Sequence, residues 1–187
     1  MKSLWFLTLL GFMLIFESTG NSTAASGSEP AAPSRNPIIS SSSLPLAEAR
    51  IIIDGAIAYA RSLNMRMAVV VLDDGGHLIS ADRMDGTSFN SEHQAQGKAF
   101  TSIISRQPSA AVAELRTTAP ERFSGIINMW PGQVYIVSGG LPLAVNNRLV
   151  GAIGVSGLPS GVDEKAAQAG IAAWQKYREG LTNRRLS

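Results

Sequence analysis

Apolar residues change their spacing repeatedly along this chain, and each change marks an element. Leu46, Ala49, Ile53, Ala56, Ile57 and Ala60 recur at helical intervals. They predict an amphipathic helix from Leu46 to about Leu63, stopped at Asn64. Ser43 ahead of Leu44-Pro45 reads as its cap, with Glu48 in the first turn. From Met67 to Asp73 the helical spacing gives way to a continuous β-branched run, which predicts a strand. Asp74-Gly75-Gly76 reads as a hairpin turn, because positive φ costs little at glycine, and His77 to Arg83 as the returning strand. Met84-Asp85-Gly86 breaks it. Helical spacing returns from Asn90 or Ser91 to about Ser105, and a shorter helix restarts at Pro108-Ser109 and runs through Leu115. Residues 116–132, punctuated by Pro120, Gly125, Pro131 and Gly132, read as a long surface loop.

Gln133 to Val137, Leu141 to Val145 and Arg148 to Val155 have the composition of three further strands. Ser138-Gly139-Gly140 and Asn146-Asn147 between them suit hairpins. An alanine-rich helix runs from Asp163 to about Glu179. The predicted order is α-β-β-α-α-β-β-β-α. Adjacent hairpins imply an α+β domain, a five-stranded antiparallel sheet covered by helices. Helices that do not alternate with single strands argue against a doubly wound parallel sheet.

The ends read differently. Lys2, the apolar run Leu4 to Phe16 and the small residues up to Ala24-Ala25 have the layout of a secretory signal peptide over residues 1–25. The run is shorter than the roughly 20 residues a spanning helix needs. An exported protein, periplasmic or secreted, is therefore expected, with no membrane anchor once the peptide is cleaved. Residues 26–43, rich in Ser, Pro, Ala and Gly, read as a disordered linker, residues 44–180 as the folded domain and 181–187 as a basic tail. The absence of cysteine excludes disulfides, thiolate metal sites and a thiol nucleophile. A formal net charge of +2, with no basic stripe interleaved with aromatics, gives nucleic acid no footprint. No His or carboxylate cluster has metal-ligand spacing, so no intrinsic non-haem metal is expected.

Asp73-x-Gly75-Gly76, Arg83-Met84-Asp85-Gly86, Lys98-Ala99, Gly139-Gly140-Leu141-Pro142, Gly151-Ala152-Ile153-Gly154-Val155-Ser156-Gly157 and Asp163-Glu164 follow one another in this chain. In that order, from about Leu46 to Trp174, it resembles the GlcG/HbpS-like proteins, a group that includes the carboxy-terminal domain of PduO. The resemblance implies a profilin-like sandwich, a homo-oligomer and a haem ligand, with exported members acting in haem or redox sensing. An oligomer also suits the composition: 45% of residues are hydrophobic and only 16% charged, leaving few charges to cover a small domain.

Several residues are candidates for chemistry. Gly139, Gly140 and the glycines of the 151–157 string offer a side-chain-poor wall, suited to a planar or small ligand. His77 and His93 are the two histidines, and either is a candidate axial ligand to haem iron. His77, after the hairpin glycines, most simply faces water. Arg83, Asp85 and Lys98 admit two readings. Arg83 and Lys98 grip a carboxylate or propionate, or Arg83 pairs with Asp85 and fixes the turn. Ser156 and Gly157 ahead of Asp163 can surround an anion with backbone N–H groups, or Asp163 simply caps its helix. Glu164 becomes a general acid if it is buried beside the glycines. Two function classes follow. One is an exported haem- or tetrapyrrole-binding protein with a sensing or redox role. The other is a lyase or isomerase acting on a small carboxylate-bearing metabolite, held by Arg83 and Lys98, with Glu164 or His93 moving a proton.

Overall fold

The computed structural model describes residues 43–159 and 161–186. The expected signal peptide and nearly all of the expected linker lie outside the described residues. Four strands form one antiparallel sheet in the order β2-β1-β4-β3, with β1 at Ala68–Asp73, β2 at Leu78–Arg83, β3 at Gly140–Val145 and β4 at Arg148–Ser156. The fold is α+β, as expected, with helices on both faces of the sheet.

Strand alternation builds the layers. Val69, Val71, Leu141, Leu143, Ile153 and Val155 point to one face, against α1 (Leu46–Ser62) and α5 (Val162–Leu186). Val70, Leu72 and Ala152 point to the other, against Ala95, Ala99 and Ile103 of α2 (Ser91–Ser105). The period of two along each strand fixes both cores at once. The β1–β2 turn is held by Asp73, whose Oδ1 accepts from the N–H groups of Gly75 and His77 at 2.9 and 2.8 Å. Asn146 and Asn147 adopt φ of 49° and 62°, the pair of positive values a tight two-residue hairpin requires.

The structure corrects the sequence reading in several places. Gln133–Val137 is not a fifth strand. The Tyr135 N–H donates to Gly97 O and to Thr101 Oγ1, so this segment lies across α2 and the chain enters the sheet only at its next residues. Ser138-Gly139-Gly140 is accordingly not a hairpin. The stretch read as a loop contains α3 (Leu115–Thr118) and α4 (Pro120–Met129); Pro120 starts α4, where a missing N–H costs nothing. Ahead of α3, Ser109–Glu114 forms a 3₁₀ turn rather than a short α-helix. Ser43 does not cap α1. The Leu44 N–H is bound to Val150 O, keeping the chain extended until Pro45, which takes the cap position. Finally α5 continues past Glu179 to Leu186, through part of the expected tail.

Candidate ligand site

Helix α2 lies unusually close to the sheet because glycines face it. A Cβ on Gly154 would stand 1.9 Å from Ala95 O, and one on Gly140 would stand 2.2 Å from Lys98 O. The glycines that suggested a ligand wall therefore meet the protein's own backbone, and the close approach they permit is that of a helix.

Close approach places Lys98 at the margin of the sheet, where its stem passes the start of β3 toward α5. Its Nζ donates to Asp163 Oδ2 at 2.5 Å and to Val155 O at 2.9 Å, and stands 6.0 Å from the centre of the Tyr135 ring. Gly139, with φ of 118°, makes the passage: a Cβ there would lie 3.2 Å from Lys98 Nζ and 2.8 Å from the Asp163 Cβ. Asp163 does not act only on its own helix, since its second oxygen accepts from the Leu158 N–H at 3.0 Å. Both charges are almost fully enclosed, Lys98 being 1% exposed and Asp163 4%. Burial pushes Lys98 below its ordinary value near 10.5 and Asp163 above its ordinary value near 3.8; the mutual hydrogen bond and attraction offset this only in part. Next to this pair the Ser138 hydroxyl donates to Glu164 Oε2 at 2.7 Å.

A second cluster of basic residues is open. The end of α1, the connection into β1 and the end of β2 enclose a groove of about 670 Å³. Arg61, Arg66 and Arg83 line it, all exposed, together with the half-buried Met65 and Met84 and the buried Ile57. No carboxylate among the described residues forms an ion pair with any of the three arginines. Asp85 lies in the groove with Arg83 but is not its partner; Arg83 Nη1 donates to Thr87 O at 2.9 Å, which is how the turn is fixed. Asp82, also in the lining, accepts from Arg50 at 2.8 Å.

The remaining candidates are dispersed. Lys98 is not in the groove, so Arg83 and Lys98 do not converge on one ligand. His77 projects from the β1–β2 turn with its side chain 83% exposed. His93 is exposed beside a hollow of about 100 Å³ floored by Gly76 and Gly97, where Phe100 meets Trp130 edge-on at 5.2 Å. Ser156 is hydrogen-bonded to Gln94, and Gly157 packs against Thr87, Met67 and Ser91, five residues ahead of α5. Sequence reading missed Arg61, Met65 and Arg66. Their signal was faint, because basic residues after a helix end look like solvated surface until β2 folds alongside.

The family model described as haem-degrading protein HbpS-like matches residues 44–172. The chain belongs to the HbpS-like family. That match contains every groove residue and the Lys98–Asp163 pair. Protein GlcG of Escherichia coli K12 is 30% identical over 97 residues, which are 52% of this chain and 69% of GlcG. A solved structure of HbpS is 31% identical, with a TM-score of 0.63 over 70% of this HbpS-like chain and 89% of the other. The PduOC–heme complex superposes with a TM-score of 0.64 at 24% identity, over 70% of this chain and 94% of that one, and shares the fold.

Proposed function

We propose that this chain is an exported haem-binding protein of its family, and that the tetrapyrrole lies in the arginine groove. The observation that carries the proposal is the groove itself: about 670 Å³, with three arginines free of carboxylate partners beside half-buried methionines. Haem is a flat apolar ring with two carboxylates at one edge. Ile57, Met65 and Met84 supply apolar contact, and guanidinium groups bind carboxylates through two hydrogen bonds each. The hollow beside His93 is far smaller than the 300 Å³ or so at which ligand pockets begin, so it does not take the ring within one chain. Bound there, haem would supply a redox-active iron, and Met65 and Met84 of the groove lining would offer it thioether donors. The family description names haem, and the same fold carries it in the PduOC complex; both support the reading, of which a sensing or redox role is a part. The enzyme reading has less support, because Lys98, which was to hold the carboxylate, is enclosed against Asp163.

Titration with haemin tests the proposal. A saturable, stoichiometric change in the haem spectrum is expected, weakened in Arg61→Ala and Arg83→Ala and unchanged in His77→Ala and His93→Ala. No spectral change at micromolar concentrations would sink it. Export predicts that the product recovered outside the cytoplasm begins near residue 26, which its intact mass reports. A homo-oligomer is part of the same reading, supported by Phe89 at 90% exposure and Met129 at 71%. Sedimentation at monomer mass across micromolar concentrations would defeat that part.

A further inference from the structure

Beside the groove, and sharing Asn64, Met65 and Arg66 with it, lies a second hollow of about 320 Å³. Its wall includes Ser88 and Ser91 at the start of α2, with Gly157 opposite. Three features there converge on negative charge. The N-terminus of α2 is uncapped: Asn90 occupies the cap position with helical φ and ψ and makes no side-chain cap, its Oδ1 instead accepting from the Ser88 hydroxyl at 2.8 Å. The Ser91 N–H is already given to Ser88 O at 3.1 Å, so this uncapped start presents the N–H groups of Glu92 and His93 and the positive end of the helix dipole.

The second feature is independent of the helix. Ser91 is 2% exposed, yet its hydroxyl has no hydrogen-bond partner among the described residues. Unlike the unpaired hydroxyls of Ser80 and Ser102, which are sealed in the interior, this one is reached from the hollow it lines. Gly157 leaves it room, since a Cβ there would stand 3.3 Å from Ser91 Oγ. The third feature is Arg66, exposed and without a carboxylate partner among the described residues. Its guanidinium rests over Gly86, where φ is 74° and a Cβ would come within 2.9 Å of Arg66 Nη1. Any L side chain at position 86 would displace it.

We propose that this hollow is an oxyanion subsite, in which Arg66 and the Ser91 hydroxyl, at the positive end of α2, hold a carboxylate of the ligand whose body lies in the groove. Arg66 belongs to both hollows and marks where the apolar body gives way to the anionic arm. The assignment of a haem propionate as occupant rests on the haem reading above; the oxyanion chemistry does not.

Two titrations separate these. Inorganic phosphate, added to the protein without haem, is expected to shift the backbone amide signals around Ser91 and the Arg66 side-chain signals saturably. Arg66→Ala should weaken that binding about tenfold and Ser91→Ala a few-fold, as loss of charge-assisted and neutral hydrogen bonds implies. Ser91→Asp, which puts a carboxylate in the hollow, should abolish it. Haemin affinity should fall in the same variants, while the dimethyl ester of haemin, whose propionates are blocked, should bind wild type and variants alike. If phosphate shifts the amides but haemin ignores the variants, the propionate assignment is overturned and a free oxyanion is the occupant. If wild type binds phosphate and not haemin, the haem reading falls and the subsite stands. Unmoved amides with phosphate, together with haemin binding equally well to all variants, overturn the subsite.

Discussion

Lys98 and the arginines of the groove carry the same charge and meet opposite fates. Lys98 is 1% exposed, and its ammonium is bound to Asp163 and to a strand carbonyl. Arg61, Arg66 and Arg83 are exposed, and none has a carboxylate partner among the described residues. The enclosed pair ties α2, on one face of the sheet, to α5 on the other, past the beginning of β3. Its attraction is largely offset by the loss of hydration, so it contributes geometry more than stability. The groove arginines keep their hydration until a ligand arrives. Burial, rather than charge, decides which basic residue is available for binding.

The largest expected effect comes from breaking the enclosed pair. Lys98→Met leaves Asp163 buried without its cation and should cost about 3–5 kcal/mol in urea unfolding. Replacing both, Lys98→Met with Asp163→Leu, should return stability to the wild-type level or above it, because an ion pair and its desolvation leave together. A Lys98→Met protein as stable as wild type but unable to bind haemin would reverse the comparison, making Lys98 the ligand residue. Gly154→Ala should follow in size, at about 1–3 kcal/mol, since its Cβ would strike Ala95 O and force α2 off the sheet.

The pair also predicts a pH profile. Asp163 is raised in the folded state, so the folded protein binds more protons just above the ordinary value near 3.8. Stability should fall as pH rises through that window. Lys98 is lowered, so the unfolded chain binds more protons just below the ordinary value near 10.5, and stability should rise with pH there. The pair thus produces a shallow trough between the two windows. Urea midpoints measured across pH should show it in wild type and lose it in the double variant; an unchanged trough would place the titrating groups elsewhere.

How much of this was legible in the sequence depended on range. Four strands, their two tight turns and the bounds of α1 and α2 follow from local spacing and turn chemistry, and all appear in the structure. The 133–137 segment alternates like a strand, but what it pairs with is a helix backbone, a choice made by tertiary contacts that no local pattern records. The glycines of β3 and β4 were visible as requests for close approach, but not what approaches. Lys98 and Asp163, 65 residues apart, were both singled out, yet only the fold shows that they satisfy each other. Arg83 was legible because it ends a strand within a family motif. Arg61 and Arg66 were not, since nothing in their own surroundings distinguishes a groove wall from ordinary solvated surface.

The smallest expected change in stability belongs to those arginines, and it is the sharpest test of the contrast. Arg61→Ala and Arg83→Ala remove exposed groups without ion-pair partners, so unfolding should shift by no more than about 0.5 kcal/mol. Arg83 also loses one hydrogen bond to Thr87 O, which places it at the upper end of that range. Haemin affinity should nevertheless fall about tenfold in each, the scale of one charge-assisted contact to a propionate. An exposed cationic groove is screened over roughly 8 Å at physiological ionic strength, so added salt should weaken haemin binding by wild type more than by the variants. Lys98, enclosed, should give the reverse signature in Lys98→Met: a large loss of stability and an unchanged salt dependence of binding. Salt slopes that do not differ between wild type and Arg83→Ala would show that the ring is held by apolar contact alone, and that the open arginines serve no ligand.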